Sequence, residues 1–163
     1  MNTGEKFSSI QAAIDDPDTK DGHTITVSGT YYEHVVVNKR LRLTGVGLPE
    51  ISASGDGSAI RVVHDGCVIE RFSVRWGDAG INVESENNLI RDNIAASNLQ
   101  GIYLVYASNN TLVNNTVKKN NKGIFLRYSN DSRIMQNNAS NNYGDGICTG
   151  MAFPWIVHTI IHS

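Results

Sequence analysis

Gly101-Ile102-Tyr103-Leu104 and, 22 residues on, Gly123-Ile124-Phe125-Leu126 decide how this chain is read. Gly80-Ile81-Asn82-Val83 precedes the first by 21 residues, and Gly146-Ile147-Cys148-Thr149 follows the second by 23. Ala59-Ile60-Arg61-Val62 lies a further 21 upstream. A second column runs through Ile69, Ile90, Leu112 and Ile134. Asn93, Asn115 and Asn137 are spaced by 22, and so are Asn98, Asn120 and Asn142. Self-similarity at such a period marks a solenoid or a repeat array. Within each repeat, triplets such as Ile81-Asn82-Val83 alternate apolar and polar, the pattern of a strand with one buried face. The intervening segments are too short for helices and rich in Asn, Ser and Gly. Coils of about 22 residues with three short strands each describe a parallel β-helix.

The same columns explain the composition. Asparagine occurs 18 times, and 16 of these lie between Asn82 and Asn142. Asn is a poor helix former, because its side chain competes for nearby backbone groups, so a helical bundle is excluded. In a β-helix each side chain meets its equivalent about 4.8 Å away in the next coil. Stacked carboxamides at a bend can then donate and accept from coil to coil. Asn93, Asn115 and Asn137 are expected to form such an inward ladder, with Phe72 in the equivalent place one coil earlier.

Length and charge narrow the function classes. The 163 residues suit one domain, 1–163, with room for a core. Fourteen Lys and Arg against 16 Asp and Glu leave a net charge of −2, without the basic face of a nucleic-acid binder. No apolar run is long enough to span a membrane, and Met1-Asn2-Thr3-Gly4-Glu5-Lys6 lacks the layout of a signal peptide. The chain therefore reads as cytoplasmic or as a fragment. Cys67 and Cys148 match no metal spacing and are expected as free thiols. Residues 7–16 place Phe7, Ile10, Ala13 and Ile14 on one face of an amphipathic capping helix, with Ser8 or Ser9 as N-cap. Coils then occupy 24–149, beginning with strands at 24–27, 35–37 and 41–43. Residues 150–163 leave the Asn pattern and are expected as an irregular end: a cap strand, a broken coil or altered sequence.

The opening residues Phe7-Ser8-Ser9-Ile10-Gln11-Ala12-Ala13-Ile14, with Ile25-Thr26-Val27, Gly29-Thr30-Tyr31, Val35-Val36-Val37 and Leu43-Thr44-Gly45, resemble the start of pectin-lyase-like right-handed β-helix proteins. The later coils, including Asn109-Asn110-Thr111-Leu112-Val113-Asn114-Asn115, are similar to NosD-type repeats, also called carbohydrate-binding and sugar-hydrolase domains. The resemblance covers about residues 7–149 and implies an all-β, right-handed parallel β-helix solenoid. It also implies a periplasmic, cell-surface or extracellular setting. Its motifs belong to the scaffold, and a fold does not settle a function.

Enzymes of that superfamily place their sites on one outward face of the coils. The resemblance implies Arg or Lys bases with acidic calcium ligands in lyases, Asp clusters in hydrolases and esterases, and an Asp-Pro-His-Asp motif in uronate epimerases. None of these motifs occurs here. General acid–base chemistry needs converging carboxylates, whereas Glu70, Glu84 and Asp92 are expected outward in different columns. Pairs of Glu70 with Arg91 and Arg71 with Asp92 between coils account for four of the charges. No catalytic residue is assigned; a polysaccharide-active enzyme using Arg61, Glu84 and Arg127 is the alternative. Asp16-Pro17-Asp18-Thr19-Lys20-Asp21-Gly22 has the wrong spacing for a calcium loop. Gly55-Asp56-Gly57 has no following helix to cradle phosphate.

NosD proteins are associated with assembly of a copper enzyme, which makes Cys148, Met151, His158 and His162 the soft or borderline donors to weigh for a copper-delivery role. Residues 155–162 read as one strand, in which the two histidines stand about 13 Å apart. No metal or cofactor is assigned. The outward feature that points to a ligand is aromatic: Tyr103 with Phe125 in one column, and Tyr106 with Tyr128 three residues on. With Asn82 and Arg127 beside them, these rings form a platform for sugar rings, or simply brace neighbouring coils. The expected function is a non-catalytic module that presents this strip to a polysaccharide, glycan or protein partner. Four N-x-Ser/Thr sequons head at Asn109, Asn114, Asn130 and Asn138.

Overall fold

The structure is a computed structural model that describes residues 6–157 and 159–162. It is an all-β parallel solenoid of about six coils, each contributing three strands. The first two coils carry β1 (Thr24–Val27), β2 (Thr30–Tyr32) and β3 (Val35–Val37), then β4 (Arg42–Gly45), β5 (Glu50–Ser52) and β6 (Ser58–Val62). The third and fourth carry β7 (Val68–Glu70), β8 (Ser73–Arg75) and β9 (Ala79–Val83), then β10 (Leu89–Arg91), β11 (Ile94–Ala96) and β12 (Gln100–Val105). The fifth and sixth carry β13 (Thr111–Val113), β14 (Thr116–Lys118) and β15 (Lys122–Arg127), then β16 (Arg133–Met135), β17 (Asn138–Ser140) and β18 (Ile147–Gly150). β19 (Trp155–Val157) and β20 (Ile160–His162) follow. First, second and third strands of successive coils pair in parallel to make sheets A, B and C.

The core follows from the alternation. Ile69, Ile90, Leu112 and Ile134 stack in register in sheet A, and Ile60, Ile81, Ile102 and Ile124 stack in sheet C; all are fully buried. In these two columns an apolar side chain meets an apolar side chain at each step, so apolar area is removed from water between successive rungs.

Polar corners are held by ladders. Asn93 Nδ2 donates to Asn115 Oδ1 at 3.1 Å, and Asn115 Nδ2 to Asn137 Oδ1 at 2.9 Å. Fully buried Phe72 opens the column, its N–H donating to Asn93 Oδ1 at 3.0 Å. A second ladder joins Asn98, Asn120 and Asn142, and the Gly77 N–H starts it. A third, which identity alone conceals, descends from Cys67 through Asn88 and Asn110 to Ser132, each backbone N–H donating to the side chain one coil on. Every inward ladder residue from Asn88 to Asn142 is nearly or wholly buried, so these bonds satisfy groups that water cannot reach.

The bends that turn these side chains inward use left-handed backbone at ordinary residues. Arg71, Asp92, Asn114 and Gln136 have φ between 55° and 63° and each immediately precedes a ladder position. Trp76, Ser97, Lys119 and Asn141 do the same at the next corner. L-residues other than Gly, Asn and Asp visit this region rarely, so the hydrogen-bonded neighbour compensates for the strain.

The capping helix α1 is shorter than 7–16, spanning Ile10–Asp15, with Ser9 as N-cap; its Oγ accepts from the Ala12 N–H. Ile10, Ala13 and Ile14 bury themselves over the first coil, and Glu33 accepts from the N–H groups of Ile10 and Gln11. Of the alternatives left open for 150–163, the structure shows two strands of a further, incomplete coil. β19 pairs in parallel with β16, and β20 with β17. Thr159 stands one step beyond Asn137, and its Oγ1 accepts from the Asn137 N–H and donates to the Ile134 carbonyl. The single strand expected over 155–162 is thus two strands in different sheets.

Candidate functional site: an outward aromatic strip on sheet C

Sheet C carries the strip because buried Ile102 and Leu104, and Ile124 and Leu126, force the residues between them outward. The outward column so formed runs Val36, Arg61, Asn82, Tyr103, Phe125, Cys148. The Tyr103 and Phe125 rings stack with centroids 5.1 Å apart and planes inclined by 14°. Tyr106 and Tyr128 stack at 4.8 Å and 9°. This second pair owes its direction to left-handed backbone, with φ of 50° and 51°, which leaves Tyr106 71% exposed. The following residues turn inward: Ala107 is fully buried, and its N–H donates to Ser129 Oγ.

Cations lie over two of the rings. Lys122 Nζ lies 4.1 Å from the Phe125 centroid, and the Arg127 guanidinium carbon 5.3 Å from that of Tyr128. The Tyr103 and Tyr128 hydroxyls hold the Arg127 guanidinium above its ordinary range.

Asn82 and Glu84 are otherwise engaged. Arg61 forks onto Glu84, with Nε to Oε1 at 2.8 Å and Nη2 to Oε2 at 2.6 Å. Asn82 Nδ2 donates to the same Oε1 at 2.8 Å. Hydrogen bonding from Arg61 holds the Glu84 carboxyl below its usual range. A carboxylate held ionised by a bidentate arginine cannot serve as a general acid at neutral pH. Arg61 and Glu84 are thus engaged with each other, while Arg127 is turned to the tyrosines.

Elsewhere the charge pairing follows the sequence reading in part: Glu70 pairs with Arg91 as expected. Glu70, expected outward, is 3% exposed, held by Arg42 Nη1 at 2.8 Å and by Arg91 Nε at 2.6 Å. Burial pushes its carboxyl up, yet hydrogen bonds from Arg42, Arg91 and Thr44 leave it below the ordinary value. Arg71 and Asp92 do not pair. Their left-handed backbone removes them from the strand alternation, and Asp92 instead accepts from Asn114 Nδ2 at 2.6 Å.

Of the candidate copper donors, only Cys148 and Met151 have described side chains. Cys67 and Cys148 are free, and the buried Cys67 thiol donates to the carbonyls of Lys39 and His64. Met151 is exposed at a left-handed corner. His158 lies outside the described residues, as does the side chain of His162. Among the described residues, no three His, Cys, Asp or Glu side chains converge on a metal position.

One surface was missed. A groove of about 400 Å³ opens where the chain enters sheet C, at the end opposite Tyr106 and Tyr128, lined by Trp76, Ser97, Leu99, Lys119, Asn121 and Tyr143. Leu99, Asn121 and Tyr143 are spaced by 22 and follow the ladder residues Asn98, Asn120 and Asn142. That column was available in the repeat, although it mixes apolar and polar residues.

Fold and strip together define an asparagine-laddered β-solenoid repeat protein with an aromatic outer face. The chain belongs to the NosD family: the family described as "Periplasmic copper-binding protein (NosD)" matches residues 18–152. It is also 41% identical over 87 residues to a "Cell surface glycoprotein" of Methanothermus fervidus. That stretch is 52% of this chain and 15% of the relative. No solved structure matches the chain significantly. The copper in the family description does not find a converging donor set among this chain's described residues.

Proposed function

We propose that this chain is a non-catalytic β-helix module of a surface or periplasmic protein, and that its sheet C strip binds carbohydrate. The observation that carries this reading is the pair of parallel ring stacks, Tyr103 on Phe125 and Tyr106 on Tyr128, displayed side by side on one rigid sheet. The stacked rings offer their uncovered apolar area to the C–H groups of a sugar, and Lys122 and Arg127, lying over the Phe125 and Tyr128 rings, supply donors for hydroxyl or carboxylate groups. The setting outside the cytoplasm is supported by the family description and by the surface relative. Among the described residues no helix is long and apolar enough to cross a membrane. The engaged state of Glu84 weighs against a hydrolase or lyase on this face.

A glycan array tests the proposal. The wild-type chain is expected to retain a restricted set of glycans, and Tyr103→Ala with Tyr106→Ala to lose them. Retention by the double variant, or no retained glycan at all, would remove the sugar platform. Incubation with uronic-acid polymers, with and without calcium, is expected to release no unsaturated or reducing-end products.

A further inference from the structure

We infer that Asn109 is an N-glycan acceptor in the folded chain and that the other three sequons are closed to modification. The four share one sequence pattern, but the fold treats them differently. Asn138 lies within β17, half-buried, its N–H donating to the Asn115 carbonyl and its Oδ1 accepting from Ser140 Oγ at 2.6 Å. Asn130 is followed by Ser132, whose hydroxyl is fully buried, donates to the Asn130 carbonyl and accepts the Asn110 N–H. Asn114 is exposed, but its Nδ2 is spent on Asp92 Oδ1 at 2.6 Å.

Asn109 differs in its side-chain bonding. It is exposed in the corner between β12 and β13, with φ of 58°, and among the described residues its carboxamide has no hydrogen-bond partner. Thr111, which supplies the sequon hydroxyl, is half-buried at the start of β13 and its hydroxyl is likewise uncommitted among the described residues. The backbone of this sequon is paired like the others, with the Asn109 N–H on the Asn130 carbonyl and the Thr111 N–H on the Asn88 carbonyl. Each site therefore needs a local opening, but only at Asn109 does that opening break no hydrogen bond of the acceptor carboxamide or of the sequon hydroxyl. In the reaction Nδ2 bonds to C1 of the first sugar, the C1–O bond to a lipid diphosphate breaks, the lipid diphosphate departs, and Nδ2 releases one proton. The co-reactant is a lipid-diphosphate-linked oligosaccharide presented by an oligosaccharyltransferase. The inference is independent of the sugar-binding reading, since it concerns a carboxamide rather than the ring strip.

The purified native chain and the same chain unfolded in urea, then diluted, would each be given a single-subunit oligosaccharyltransferase and a lipid-linked oligosaccharide. Site occupancy would be read by peptide mass mapping. In the native chain Asn109 is expected to exceed each other sequon by about tenfold or more, and the preference should collapse in the unfolded chain. Asn109→Gln and Thr111→Ala should abolish the native product, while Thr111→Ser retains it. Equal or preferred occupancy of Asn114, Asn130 or Asn138 in the native chain would overturn the inference. So would a bare Asn109 in the native chain, whether or not the unfolded chain is modified.

Discussion

Asn115 Nδ2 and the Asn115 backbone N–H both donate to Asn137 Oδ1, each at 2.9 Å, so one carboxamide oxygen closes two donors of the coil before it. Asn115 Nδ2 also reaches the Ile90 carbonyl at 2.9 Å, and its own oxygen accepts from the Asn93 N–H and Nδ2. Asn115→Ala leaves several of these buried groups without partners. It should destabilise the chain by about 2–4 kcal/mol, from an unmet-group cost of about 1–3 kcal/mol each. Urea denaturation at neutral pH measures this, and a loss below about 0.5 kcal/mol would show that the ladder is dispensable.

Gly101 is required by close approach rather than by its backbone angle. A Cβ there would stand 2.7 Å from the Gly123 carbonyl and 2.8 Å from Asn120 Nδ2. Gly101→Ala should cost about 1–3 kcal/mol by forcing two coils apart. The urea midpoint reports it, and an unchanged midpoint would contradict the packing described.

Glu70 links three coils through Arg42 and Arg91, and Glu70→Gln should cost about 1–3 kcal/mol at pH 7. Because the folded carboxyl lies below its unfolded value, its contribution is complete above the ordinary glutamate range and is lost as the pH falls through the folded pKa. The difference between wild type and Glu70→Gln should therefore narrow once the pH drops below about 4. Urea midpoints across that range check the sign, and a gap that widens with acid would refute it.

The Arg61–Glu84 pair should behave differently. Its arginine side chain is 47% exposed and its glutamate 29%. Glu84→Gln is expected to cost under about 1 kcal/mol. A larger loss would mean that this pair, rather than the ladders, braces sheet C.

The parallel coils and the Asn93 column were legible because interior positions repeat with a fixed step and buried side chains leave little choice. Three things were not. The third ladder changes residue type from Asn110 to Ser132, yet keeps its hydrogen bond. Thr159 replaces asparagine in the last coil by offering one hydroxyl as both donor and acceptor, so the coil persists where the composition changes. The corner geometry left no trace either, since Arg71, Trp76, Lys119 and Tyr106 hold left-handed backbone that their residue types do not advertise. Strand alternation alone would set Arg71 against Asp92, and it gives no sign of the groove beside Trp76. For the strip, alternation between buried neighbours placed Tyr103 and Phe125 outward. Asn82 was placed correctly in the column, but its engagement with Glu84, two residues on in the same coil, depends on where Arg61 of the preceding coil holds that carboxylate.

The most direct measurement is calorimetric titration of an array-selected glycan into wild type, Tyr103→Ala and Phe125→Ala, with urea midpoints taken on the same samples. Each ring removed should weaken binding about tenfold, in the range of one aromatic contact, while stability falls by no more than about 1.5 kcal/mol. Unchanged affinity in folded variants would contradict a binding role for the strip and leave the stacked rings as braces between coils.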